Sequence, residues 1–250
     1  MNKLIVANWK MNPVSFKEAK NLFFGIKKLK DEKKTEIVVC PPFVFIKELK
    51  DFKVDLKIGS QNCFWEDKGA FTGEISFSML KEIGVEYIII GHSERRKHFK
   101  ETDEFINKKV RAILKSGLKP ILCVGETEKE RKAGITREVV KNQLLKCLEN
   151  IEDWKLKIKN LSIAYEPVWA IGTGNPCLSK DAKDIFLFIQ KFLKEKYTNK
   201  MAGKIRIIYG GSVNGGNAKG YIKESGMDGL LVGGASLDKK EFIKIVKNIQ

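Results

Sequence analysis

The chain has 250 residues, 43% of them hydrophobic and 10% aromatic, enough for a full core and too apolar for a disordered chain. The net charge of +16 would attract anions. However, 41 of the 47 basic residues are lysines spread along the chain and six are arginines, so solvated helix faces are expected rather than a specific nucleic-acid reader. No apolar run approaches the ~20 residues of a membrane span, and the apolar stretch before Asn8 is too short for a signal peptide, so a cytoplasmic protein away from membranes is expected.

The first predicted strand is Leu4–Asn8, leading into Trp9 and Lys10. A lysine just past a buried strand is either an ordinary loop residue or the partner of an anion. Phe16, Ala19, Leu22, Phe23, Ile26 and Leu29 then form an apolar stripe at helical spacing, with Ser15 and Glu18 spaced as a capping box. Strands are predicted at Glu36–Cys40 and Asp55–Gln61, and a loop rich in aromatics follows at 62–76.

The fourth strand, Tyr87–Gly91, presents His92, one of only two histidines. A helix starting there would disfavour imidazolium through its dipole. Thr102 is placed to cap a helix whose first turn holds Asp103 and Glu104. The fifth strand is Pro120–Gly125, and Thr127 with Glu130 forms a second capping box.

The sixth strand, Leu161–Glu166, ends on a carboxylate, which is costly to bury unless it faces a polar pocket. Partial desolvation makes such a group a stronger base. Pro167 stiffens the exit. Val168–Ile171 make an apolar tip containing Trp169, and Gly172, Thr173 and Gly174 add flexibility, a pattern that reads as a lid. A helical stripe at Ile185, Ile189, Phe192 and Leu193 precedes the seventh strand, Ile205–Tyr209. That strand and the eighth, Gly229–Val232, each run into a Gly-Gly pair, where backbone N–H groups can approach an anion closely. A last stripe holds Phe242, Ile245, Val246 and Ile249.

Eight apolar strands alternating with amphipathic helices, without a linker or composition break, predict one α/β domain over 1–250 with a closed eight-stranded parallel sheet. A doubly wound open sheet is the alternative, weakened by the lack of GxGxxG after the first strand. The five cysteines include no CxxC pair, so neither a zinc site nor a disulfide framework is expected. A base, a histidine, a lysine, a lid and an anion cradle, with no cluster of metal ligands, fit proton abstraction beside a carbonyl in a small phosphorylated substrate.

VANWKMN (6–12), SQN (60–62), IIIGHSERR (88–96), ILCVGET (121–127), AYEPVWAIGTG (164–174), YGGSV (209–213) and LLVGGASL (230–237) resemble, in order and spacing, the triosephosphate isomerase family. The resemblance implies a (β/α)8 TIM barrel that interconverts dihydroxyacetone phosphate and D-glyceraldehyde 3-phosphate through an enediolate, with no cofactor and no metal. Glu166 would be the base that removes the pro-R proton at C1. Neutral His92 would polarise the carbonyl and shuttle protons, Lys10 would stabilise negative charge, and Asn8 would position the substrate. Gly172, Ser212, Gly233 and Gly234 would hold the phosphate. Glu94 would pair with Lys10, Ser93 would touch the base in the open state, and Cys123 would pack beside it. The implied assembly is a homodimer in which the 62–76 loop inserts into the partner, bringing Thr72 towards the partner's active site.

Two positions depart from the family pattern. The lid hinge reads Asn175-Pro176-Cys177, and Lys100 stands where many members have glycine. Lys57, Lys155, Lys157 and Lys159 enrich the surface charge. Two other readings stay open on the residues alone. A Schiff-base aldolase would need a lysine inside the sixth strand, which has none. A basic binding protein with a degenerate site would account for the +16 charge.

Overall fold

The computed structural model describes residues 1–31, 34–151 and 158–250. Lys155 and Lys157 lie outside the described residues. Strands β1 (Lys3–Asn8), β2 (Thr35–Cys40), β3 (Lys57–Ser60), β4 (Tyr87–Ile90), β5 (Lys119–Val124), β6 (Ser162–Tyr165), β7 (Arg206–Tyr209) and β8 (Gly229–Val232) close into a barrel in sequence order. All neighbours are parallel, and β1 pairs with β8 through Leu4–Gly229. The open sheet is thereby excluded. Gly229 has a steric reason: a Cβ there would lie 1.9 Å from the Leu4 carbonyl oxygen at the closing seam.

Alternation along the strands builds two cores. Leu4, Val6, Val38, Tyr87, Ile89, Ile121, Cys123, Ala164 and Leu231 fill the barrel interior. Their neighbours Ile5, Ala7, Val39, Ile88, Ile90, Leu122, Ile163 and Val232 face outward against the helices. Both sets are buried, which is why each strand reads as an unbroken apolar run. The same alternation carries Asn8, two residues beyond Val6, and Glu166, two beyond Ala164, onto the inward side at the C-terminal rim.

The helices are α1 (Phe16–Gly25), α2 (Ile46–Asp51), α3 (Phe77–Glu82), α4 (Ser93–Phe99), α5 (Asp103–Ser116), α6 (Glu128–Lys132), α7 (Thr136–Cys147), α8 (Ser179–Lys196), α9 (Asn199–Ala202), α10 (Ala218–Lys223) and α11 (Lys239–Asn248). The predicted caps form. Ser15 accepts from the Glu18 N–H, Thr102 from the Phe105 N–H, and Thr127 with Glu130 makes a complete capping box. α5 buries Ile106, Val110, Ile113 and Leu114, then stops at Gly117, whose φ of 86° is left-handed. Truncating one of those side chains, as in Ile113→Ala, costs about 2–5 kcal/mol.

Most strand ends differ from expectation by a residue, and three elements differ for a visible reason. The first stripe does not stay in one α-helix: α1 ends at Gly25, and Lys27–Asp31 continues as a 3-10 turn. A Cβ on Gly25 would meet the Lys239 side chain at 2.7 Å, so close approach of the start of α11 sets the residue there. β3 is shorter than Asp55–Gln61, because its partners run alongside only at Val38, Val39, Tyr87 and Ile88. β6 ends at Tyr165, although the Glu166 N–H still donates to the Val124 carbonyl at 2.8 Å. No described helix is long and apolar enough to cross a membrane.

Candidate active site

At the C-terminal rim of the barrel lies a cavity of about 300 Å3, lined by Asn8, Lys10, His92, Gly172, Ser212, Gly233 and Gly234 among others. Residues from the ends of β1, β4, β7 and β8 and from the loop after β6 therefore meet in one depression. Glu166 adjoins it: its Oε1 stands 3.2 Å from His92 Nε2.

Glu166 is 1% exposed. Its Oε2 accepts the Ser93 N–H at 2.9 Å. Its Oε1 is near His92 Nε2 but off the line of a hydrogen bond, and it is left without a partner. A buried carboxylate oxygen with no donor is an expensive arrangement in a resting fold and a useful one for a base. Two glycines make room for this residue, one at its side chain and one at its backbone. A Cβ on Gly210 would lie 2.9 Å from Glu166 Cγ, and one on Gly125 would lie 1.8 Å from the Glu166 carbonyl oxygen. The Cys123 thiol, fully buried beside this carboxylate, is pushed well above its ordinary value, first by burial and then by the Glu166 charge. It stays a thiol.

His92 is the N-cap of α4, and its Nδ1 accepts the Glu94 N–H at 3.2 Å. An accepting Nδ1 carries no proton, so this contact puts the ring's N–H on Nε2, the nitrogen that faces Glu166. The helix start that the sequence predicted thus selects the tautomer.

Lys10 occupies the left-handed region with φ 55°. Its own N–H donates to Asn8 Oδ1 at 3.0 Å, and Gln61 Nε2 donates to its carbonyl at 2.8 Å while bonding the Cys40 carbonyl as well. Left-handed backbone costs a lysine roughly 1–2 kcal/mol, which these bonds offset. The Lys10 ammonium pairs with Glu94 Oε1. Half-burial of Glu94 works the other way, but the hydrogen bond and the charge of Lys10 hold its carboxyl below the usual range. Glu94 therefore stays ionised and keeps the ammonium at the rim.

The segment expected to act as a lid follows Glu166. Trp169 Nε1 donates to Glu126 Oε1 at 2.7 Å, Tyr165 Oη bonds the same carboxylate, and the Arg131 guanidinium lies 4.1 Å over the Trp169 ring. Burial pushes the Glu126 carboxyl up against these hydrogen bonds. Gly172 and Gly174 have φ of 71° and 73°, which only glycine adopts readily.

Thr72 sits exposed in the 62–76 loop. The loop's aromatics pack partly on their own chain: Phe64 stacks on Trp65 at 4.0 Å and touches Phe71 at 4.6 Å, and Trp65 stacks on Phe105 of α5 at 5.3 Å. Phe71 remains 44% exposed. Among the described residues no group of three or more His, Cys, Asp or Glu is placed to hold a metal ion.

Sequence reasoning gave no role to Gln61, Gly125 or Glu126, and gave Gly210 only a place in the anion cradle. All four stand at or just beyond strand ends, the one signal that could have singled them out.

Comparison with known proteins gives a consistent result. A sequence profile described as triosephosphate isomerase matches residues 3–249. The relative named triosephosphate isomerase from Alkaliphilus oremlandii (strain OhILAs) is 48% identical over 249 residues, covering 98% of this chain and 99% of the relative. The one from Aquifex aeolicus (strain VF5) is 48% identical with the same coverage. The one from Dictyoglomus thermophilum is 46% identical, again over 98% of this chain and 99% of the relative.

Proposed function

The chain belongs to the triosephosphate isomerase family and interconverts dihydroxyacetone phosphate and D-glyceraldehyde 3-phosphate, a step of glycolysis, and we propose that Glu166, His92 and Lys10 carry the reaction. The observation behind the assignment is the meeting of Glu166 Oε1 and His92 Nε2 at the edge of a cavity that Lys10 also lines.

In the proposed mechanism, Glu166 takes a proton from the carbon next to the substrate carbonyl. The unpartnered Oε1 is the oxygen free to do so. The His92 Nε2–H donates to the carbonyl oxygen as it becomes anionic, and can then hand the proton between the two oxygens of the enediolate. Giving its Nε2 proton to one enediolate oxygen leaves an imidazolate, which takes the proton of the other oxygen, so the ring ends the step neutral. A glutamate base with a neutral histidine, and closure of a loop over the site, are established features of this enzyme family. Lys10 stabilises the developing negative charge, and Asn8 orients the substrate.

The phosphate would sit against Gly172, Ser212, Gly233 and Gly234, which line the same cavity. Closing the lid excludes water, which strengthens these electrostatics and protects the enediolate from losing phosphate. Only protons move, so the mechanism needs neither a cofactor nor a metal. One catalytic domain spans 1–250.

A homodimer completes the proposal. Met11, Val14 and Val44 are 88%, 87% and 71% exposed. Phe16 and Phe45 pack 6.2 Å apart, which holds these two segments together beside the mouth. Large apolar side chains clustered there suit a protein partner, with Thr72 of one copy reaching the other's Asn8 and Lys10. A cytoplasmic location accords with the glycolytic role.

The direct test is a coupled assay of purified protein with D-glyceraldehyde 3-phosphate in EDTA, with 2-phosphoglycolate as competitor. Turnover that survives the chelator and is competitively inhibited supports the reading. An inactive protein, or one that activity follows only on adding metal, removes it.

A further inference from the structure

We propose that Tyr221 is a positioning residue for the lid: its hydroxyl pins the C-terminal hinge through the Cys177 carbonyl, in register with the wall that faces the phosphate. The proposal deepens the isomerase reading and rests on the lid assigned there.

The two ends of the lid are held by different groups. At the N-terminal end, the Val168 N–H donates to the Glu126 carbonyl at 3.0 Å and Trp169 Nε1 donates to the Glu126 carboxylate. At the C-terminal end, Tyr221 Oη of α10 donates to the Cys177 carbonyl at 2.6 Å. Tyr221 is 1% exposed and Cys177 is 2% exposed, so this contact is dry. Between the anchors, Gly172–Asn175 are exposed, with both glycines in left-handed conformations. The segment free to move is thereby confined to a few residues ahead of Cys177.

The pin has a second attachment. The Tyr221 ring stacks on Tyr209 at 3.8 Å with an interplanar angle of 16°. Tyr209 ends β7 and leads directly into Gly210, Gly211 and Ser212, which line the cavity. Gly211 is packed so closely that a Cβ there would lie 2.2 Å from Tyr209 Oη. One side chain therefore ties the lid hinge to the strand end carrying part of the proposed phosphate cradle. A hinge fixed in advance leaves fewer backbone torsions to order when the lid closes, so less of the phosphate's binding energy goes into ordering the loop.

Tyr221→Phe tests this, because it keeps the ring and its stack and removes only the hydroxyl. We expect kcat/KM for D-glyceraldehyde 3-phosphate to fall about threefold to tenfold, as for loss of one hydrogen bond, and 2-phosphoglycolate to bind more weakly by a similar factor. The slow reaction of phosphate-free D-glyceraldehyde, which has no dianion to draw the lid shut, should stay within about twofold of wild type. A purely structural role would lower both substrates in parallel. Parallel loss, unchanged kinetics or faster turnover of the phosphorylated substrate would each overturn the pin.

Should the variant not fold, crystals of the wild-type protein with and without 2-phosphoglycolate decide the matter. The contact between Tyr221 Oη and the Cys177 carbonyl is expected in both forms, and its rupture on closure refutes the proposal. Wild-type protein that is itself inactive on triose phosphates would instead remove the isomerase reading, a separate failure from that of the pin.

Discussion

His92 Nε2 lies 3.2 Å from Glu166 Oε1, while the other oxygen of that carboxylate accepts the Ser93 N–H at 2.9 Å. Proposed acid and base are thus neighbours, and α4 holds both: its N-cap is the histidine and its first N–H grips the glutamate. Base position is then a matter of one methylene. Glu166→Asp withdraws the carboxylate by about 1.5 Å, one C–C bond. The expected result is a drop in kcat of about 100-fold or more with little change in KM or melting temperature. Near-normal turnover in the coupled assay would dismiss Glu166 as base.

Gly210→Ala probes the same carboxylate without altering it. The new methyl would stand 2.9 Å from Glu166 Cγ, so the side chain must move while the charge set stays intact. We expect kcat to fall at least about tenfold in protein whose circular dichroism is unchanged. Gly203→Ala is the contrast, because its methyl meets only the Asn199 carbonyl oxygen, at 3.2 Å, outside the proposed site. It should harm kcat less. Equal losses in the two variants would show that Glu166 placement is not the sensitive quantity.

The loop after β3 is tethered by a buried ion pair. Lys109 Nζ bonds Glu101 Oε1 at 2.6 Å and Asn62 Oδ1 at 2.8 Å, and Arg95 Nε shares the same carboxylate oxygen at 2.6 Å. Burial opposes it, yet the bonds from Lys109 and Arg95 hold the Glu101 carboxyl below its ordinary 4.5. The native state therefore binds fewer protons than the unfolded chain in the acid range. The resulting stability is fully present above pH ~4.5 and is lost as pH falls through the lowered native value. Lys109→Met should cost about 3–5 kcal/mol at pH 7. Melting curves at pH 7 and pH 3.5 are expected to show the gap to wild type shrinking in acid, and a gap constant with pH would refute the assignment.

Lys100 caps α4 with φ 56°, a conformation that strains any residue with a Cβ. Lys100→Gly should stabilise the protein by about 1 kcal/mol and leave kcat and KM unchanged, since Lys100 touches nothing in the site. A lower melting temperature would mean that the lysine side chain makes a contact worth more than the strain.

The proposed homodimer predicts that Thr72→Arg, at an exposed loop position, yields monomers in sedimentation experiments. Activity would fall with dissociation, because in the proposed dimer each active site leans on its partner's loop. Wild-type protein that sediments as a monomer at micromolar concentration would end the dimer proposal.

Strand and helix placement was legible from the sequence because burial on both faces writes β1 and β4 as unbroken apolar runs, and because Thr102, Thr127 and Ser15 mark helix starts by local chemistry. Glu166, His92 and Lys10 stood out for a similarly local reason: a polar group straight after a buried strand needs somewhere to go. Tertiary structure alone decided that these ends share one mouth, since that depends on Leu4 meeting Gly229 across the seam. It also decided which His92 nitrogen carries the proton, how Gln61 restrains Lys10, and that Tyr221 reaches Cys177. Such facts depend on distances between groups far apart in the chain, and no local pattern of residues encodes a distance.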